Sequence, residues 1–263
     1  MRYAIGLEYD GSLFLGWQLQ GVEPTVQACV ERAVARVADQ EARVTCCGRT
    51  DTGVHALGQV AHFDTAARRD ERSWVLGLNS HLPAGVSVLW IRPVDDSFHA
   101  RFSAFSRTYR YLVLNRWVRP ALEARRMSWC RRPLDAARMH VAAQALRGEH
   151  DFTSFRAGAC QARHPVREIQ HISVSRMGDV VVLEVTANGF LYHMVRNIAG
   201  SLLRVGQGEA GVAWMGELLA RRDRGLAAPT AAPEGLYFVS ARYPEQYGLP
   251  VDPPAFPRGR GLS

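Results

Sequence analysis

The order in which hydrophobic periodicity switches between two residues and 3.6 constrains this chain more than any other feature. Tyr3, Ile5 and Leu7 alternate with small or polar neighbours, as in a half-buried strand, and Asp10-Gly11 ends that strand with turn chemistry. Thr25 stands as an N-cap before Val26, Val30, Ala33, Val34 and Val37, which share one helical face, with Glu31, Arg32 and Arg36 turned away. Residues 43–47 and 58–63 read as strands, 73–82 as a helix, and 86–91 as a strand of β-branched and aromatic type. The order is β-α-β-β-α-β, the split βαβ layout.

The remainder repeats that order loosely, in element order and not in residue identity. Residues 108–114 read as a strand, and Pro133 opens a helix in which Leu134, Met139, Ala142 and Leu146 share one side. A hairpin is expected over 168–174 and 180–185, turning at Gly178-Asp179. Residues 192–205 form a helix with Val195, Ile198, Ala199, Leu202 and Val205 inward; a further helix covers 212–221 and a last strand 236–241. The expected class is α+β: two similar split-βαβ halves, 1–104 and 105–247, with mainly antiparallel sheets side by side and a cleft between them suited to an extended polymer. A Pro- and Gly-rich tail, 248–263, follows.

Charge narrows the partner. The 263 residues carry 32 basic and 25 acidic side chains, a net +7 and a pI near 9.5, which points to a polyanion, most commonly nucleic acid. Every basic residue is Arg. With no Lys, Schiff-base chemistry and a P-loop lysine are excluded, and bidentate phosphate contacts are favoured. Cys29, Cys46, Cys47, Cys130 and Cys160 are odd in number and form no C-x-x-C pair, which speaks against a disulfide framework or a structural zinc site. His55, His62 and His193 lack metal-ligand spacing, so no metal is expected. No apolar run reaches the length of a bilayer span and no secretory segment leads the chain, so the expected location is cytoplasmic, without membrane contact.

The densest polar cluster is Gly48-Arg49-Thr50-Asp51-Thr52-Gly53-Val54-His55, a short glycine-bracketed loop between two expected strands. Asp51-Thr52-Gly53 matches the aspartic-protease signature. It occurs once, where that chemistry needs two carboxylates sharing a proton, and Arg49 two residues away favours full ionisation instead. A plain capping role for Asp51, accepting local amides, is the other reading of the residues alone.

The stretch Gly48-Arg49-Thr50-Asp51-Thr52-Gly53-Val54-His55-Ala56-Leu57-Gly58-Gln59-Val60 closely resembles the catalytic motif of the TruA family of tRNA pseudouridine synthases. Further matches run in the family's order: Tyr9-Asp10-Gly11, Gly16-Trp17-Gln18, Thr25-Val26-Gln27, Phe98-His99-Ala100-Arg101-Phe102-Ser103-Ala104 and Tyr109-Arg110-Tyr111. Later come Asp151-Phe152-Thr153-Ser154-Phe155-Arg156, His193-Met194-Val195-Arg196-Asn197 and Glu234-Gly235-Leu236-Tyr237. The resemblance implies two ferredoxin- or RRM-like halves with a basic cleft. It also implies isomerisation of uridine to pseudouridine at positions 38 to 40 of the tRNA anticodon stem-loop, with no metal and no organic cofactor.

By that resemblance Asp51 is the catalytic carboxylate acting on a uridine flipped out of its stack. Arg196 is its paired arginine, and Tyr109 the active-site tyrosine that stacks on the uracil and assists proton transfer. Arg49 guides the departing base. Leu236 lines the uracil pocket, and His55 and Arg101 join the substrate-binding set. A homodimer acting on tRNA, not DNA, is also implied. The competing class is a non-catalytic RNA-binding module, against which the presence of Arg49, Asp51, Tyr109 and Arg196 together argues.

Overall fold

The structure, a computed structural model, describes residues 1–22, 24–158 and 160–250. Most of the expected tail lies outside the described residues. The chain divides into two compact units, Ser106–Tyr237 and everything on either side of it. Both are mixed α+β with mainly antiparallel strand pairing.

The first unit opens with β1 (Arg2–Tyr9), then α1 (Val26–Ala38), the short β2 (Thr45–Cys46), β3 (His55–Asp64), α2 (Glu71–His81) and β4 (Val86–Val94). β1 is the central strand: Ile5 faces Ala61 of β3 on one side and Ile91 of β4 on the other, both antiparallel. β2 pairs with β3 through Thr45–His62 and Cys46–Ala61, so the strand expected over 43–47 is cut to two residues. α1 forms as its pattern dictates. Thr25 Oγ1 accepts the Ala28 amide, all five predicted apolar positions are buried, and the helix stops where Asp39 turns left-handed at φ 51°. α2 begins two residues earlier than expected because Asp70 accepts both the amide and the hydroxyl of Ser73. Tyr3, Phe63 and Trp74 pack ring to ring in the core between sheet and helices.

The second unit contains β5 (Ser106–Asn115), β6 (Ser128–Cys130), α3 (Ala136–Ala143), β7 (Gly148–Asp151), β8 (Val166–Met177), β9 (Val180–Ala187), α4 (Met194–Gly206) and α5 (Trp214–Arg221). Its strand order is β5-β9-β8-β7, with β6 parallel to β5. The β8–β9 hairpin turns at Gly178, φ +56°, as its sequence required. Pro133 does not open α3. The helix starts three residues later, where Asp135 accepts the Arg138 amide as N-cap. The helical faces cover the sheet with Met139, Leu202, Met215 and Leu218, all nearly inaccessible.

The unit boundary falls inside β10 (Leu236–Arg242). The sequence reading kept residues through 247 in the second half, whereas Phe238 onward groups with the first unit. There β10 lies beside β3, and the Phe105 amide bonds the Arg242 carbonyl. Tyr243 donates its hydroxyl to the Ala100 carbonyl at 2.7 Å, and the rings of Tyr243 and Tyr247 pack on Phe98, which is fully buried. All five cysteines are free. Among the described residues no helix is long and apolar enough to cross a membrane.

Candidate active site

The loop that carries Asp51 is fixed from behind by side chains of β1 and β3 and by the backbone amide of Trp17. Gln59, buried on β3, donates to the Gly48 carbonyl at 2.7 Å and accepts the Gly48 amide, closing the loop's first end. Its amide also donates to the Tyr9 hydroxyl, which shares a 2.8 Å hydrogen bond with Thr50 Oγ1. Burial pushes the Tyr9 phenol far above its ordinary range, so the ring stays neutral and serves as a hydrogen-bond relay rather than a base. The Trp17 amide donates to the Thr50 carbonyl at 2.9 Å.

Two glycines permit this closeness. A Cβ on Gly11 would lie 1.9 Å from the Val54 carbonyl oxygen, and one on Gly16 would lie 2.7 Å from that of Thr50, at a φ of +91°. The matches at Tyr9-Asp10-Gly11 and Gly16-Trp17-Gln18 therefore have a physical reason: they are the backing of the Asp51 loop. The loop then turns tightly, with the Val54 amide bonded to the Asp51 carbonyl and Gly53 at φ +81°. Asp51 itself is half-buried, Arg49 is exposed, and Thr52 points outward.

His55 occupies the first position of β3, not the loop, and its ring is 3% exposed. The Gly11 amide donates to its Nδ1 at 3.1 Å, and Asp10 Oδ1 lies 3.3 Å from the same atom. The imidazole thus packs against the Asp10-Gly11 turn. Arg101 is exposed on the turn after Phe98, its guanidinium 5.5 Å from the Phe102 ring centroid. That turn is held by His62, whose Nδ1 accepts the Ala100 amide, and by His99, whose Nδ1 accepts the amides of Arg101 and Phe102. Desolvation lowers His62 to about 4, with the neighbouring His99 adding to the effect. Arg49 and Arg101 both act on the buried Cys46 thiol, which desolvation nonetheless pushes well up.

Tyr109, Arg196 and Leu236 belong to the second unit. Tyr109 and Tyr111 share one face of β5. Tyr109 is half-buried, edge-on to Phe190 at 4.9 Å, while Tyr111 is core, its hydroxyl bonded to Ser128 and donating to the Ala232 carbonyl. Arg196 lies in the first turn of α4. Its Nε donates to the Ala231 carbonyl at 2.8 Å, and its own carbonyl accepts the Ala231 amide. The next residue, Asn197, is fully buried: it donates to the Phe155 carbonyl and accepts from Thr230 and Arg224. Gly200 lets α4 approach the same segment, since a Cβ there would sit 2.2 Å from the Pro229 carbonyl oxygen. Leu236 is buried. Sequence reasoning quoted Tyr9, Gln59 and Asn197 only as motif residues and gave them no role as supports. Among the described residues no cluster of three or more His, Cys, Asp or Glu side chains is arranged to hold a metal ion.

A family model described as tRNA pseudouridine synthase matches residues 7–103 and 142–244. A protein named tRNA pseudouridine synthase A from Methylococcus capsulatus is 56% identical over 252 residues, covering 96% of this chain and 93% of that one. Proteins of the same name from Xylella fastidiosa and Stenotrophomonas maltophilia are also 56% identical over 253 residues, covering 96% of this chain and 98% and 99% of theirs. A solved H/ACA RNP bound to a substrate RNA containing 2′-deoxyuridine overlaps 90% of this chain and 47% of its own, at 12% identity and a TM-score of 0.37, too slight a likeness to carry weight.

The chain is thus an isomerase that acts on RNA. It belongs to the tRNA pseudouridine synthase family, among the relatives of tRNA pseudouridine synthase A.

Proposed function

We propose that this protein converts uridine to pseudouridine at positions 38 to 40 of the tRNA anticodon stem-loop, with Asp51 as the catalytic carboxylate and without metal or organic cofactor. The reaction breaks the bond from ribose C1′ to uracil N1 and joins C1′ to C5; C5 gives up its proton and N1 gains one. A stacked uracil has no room to turn, so the nucleoside flips out first. The observation that carries this reading is the fixed loop: Gln59, Tyr9 and the Gly11 and Gly16 backbones hold the segment from behind, so the backbone that presents Asp51 is preorganised. Such rigidity suits chemistry; a surface that only binds RNA gains nothing from a clamped acid.

In this reading Arg196 is the positive counterpart of that carboxylate, and Tyr109 offers a ring for the uracil. Arg49 guides the base, with Arg101 on phosphate and Leu236 beside the uracil. Each unit is read as a split-βαβ half. The protein works as a homodimer in the cytoplasm, where its tRNA is. Incubation with unmodified tRNA followed by mapping of new pseudouridines tests the reaction and the positions together. Asp51→Asn is expected to abolish product while leaving tRNA affinity within a few-fold; full activity in that variant refutes the assignment. EDTA is expected to leave the rate unchanged.

A further inference from the structure

Between the two stretches matched by the family model lies a segment whose composition departs from the rest of the chain. Residues 116–132 hold six arginines (Arg116, Arg119, Arg125, Arg126, Arg131 and Arg132) against the single acid Glu123, a net +5 in a protein whose total is +7. The same segment carries two of the six tryptophans, both turned outward: Trp117 is 70% exposed and Trp129 43%. Large indoles are seldom left in water without a partner.

Their placement is ordered. Ser128 and Cys130 of β6 point inward, so Trp129 points out, and its Nε1 donates to the Arg116 carbonyl at 2.9 Å. That bond brings it beside the residue preceding Trp117. Arg116 Nε donates to the Val118 carbonyl at 3.0 Å, bracing the loop around Trp117. The Arg131 guanidinium lies 4.4 Å from the Trp117 ring centroid, covering one face of the indole. At 70% exposure the opposite face meets solvent. Arg132 is drawn aside to Glu209, leaving Arg131 as the cation over the ring.

We propose that this surface is a second RNA-docking platform, separate from the Asp51 loop, on which Trp117 stacks an unpaired nucleotide of the tRNA while the surrounding arginines contact its phosphates. A preformed cation–indole stack extended by a nucleobase is how proteins hold single-stranded RNA. A protein partner is the poorer fit, because charged residues are depleted at the centres of protein interfaces. The inference rests on tRNA being the substrate.

Equilibrium binding of an unmodified tRNA transcript to the full chain tests it. Trp117→Ala is expected to weaken binding about tenfold, Trp117→Phe to stay within about twofold, and Arg131→Ala to lower the slope of log affinity against log salt by about one. Turnover at saturating tRNA and the sedimentation coefficient stay as in the parent. Unchanged tRNA affinity in Trp117→Ala overturns the platform, as does a changed sedimentation coefficient, which would make this face a contact between copies. A parent protein that forms no pseudouridine in tRNA instead fails the functional reading itself, so the two failures are distinguishable.

Discussion

Tyr9 and Thr50, 41 residues apart in the chain, join their hydroxyls at 2.8 Å in the buried backing of the loop, one residue before Asp51. The Tyr9 oxygen also receives the Gln59 amide, so a single phenol ties β1, the loop and β3 together.

Tyr9→Phe keeps the ring against Trp17 and removes only that oxygen. It strands Thr50 and one Gln59 donor, which costs about 1–3 kcal/mol. The expected result is a lower denaturant midpoint together with a reduced kcat and a KM close to the parent's. Equilibrium unfolding and steady-state kinetics on the same preparation check both.

Gly16→Ala acts on the same loop through the backbone. A side chain at φ +91° is strained, and its Cβ at 2.7 Å from the Thr50 carbonyl oxygen would push the segment leading to Asp51. Activity is expected to fall at least tenfold in a chain that still folds cooperatively, as followed by circular dichroism. A fully active Gly16→Ala would show that the loop position is not critical.

Arg196→Lys preserves charge and loses the Nε–H that bonds Ala231. An ammonium on a flexible stem cannot be held as the planar group is. If Arg196 is the counterpart of Asp51, as proposed, single-turnover rates are expected to drop about a hundredfold, the cost of slight misplacement, with tRNA affinity changed only a few-fold.

The His62 ring predicts a pH dependence. Its folded value, about 4, lies below the 6.5 of an ordinary histidine, so between those limits the unfolded chain binds more protons than the folded one. Stability is therefore full above about pH 6.5 and declines as pH falls toward 4. Thermal midpoints measured from pH 7 to 4.5 are expected to fall, and to fall less steeply in His62→Asn.

The sequence made the larger elements legible because each follows from local periodicity. The five apolar positions of α1 behind its Thr25 cap, the Gly178 turn and the inward face of α4 all formed where their residues indicated. β6 and β7 were not legible: three and four residues with little alternation carry no periodic signal, and pairing with β5 and β8 defines them. Pro133 misled because the Asp135 side chain, two residues on, accepts the Arg138 amide and starts the helix there. As candidates, the acid with its loop and the arginine of α4 could be named from motifs. The clamp could not, since Gln59 reaches Tyr9 across 50 residues and Asn197 reaches Phe155 across 42. His55 reads as a loop residue only because nothing local reveals that the Gly11 amide claims its ring.

β10 has a consequence for biogenesis. Residues 238–242 of the strand beside β3 and the two tyrosines that seal Phe98 are made after the whole of Ser106–Tyr237. Met1–Phe105 therefore leaves the ribosome well before the strand and rings that complete its sheet and cover Phe98.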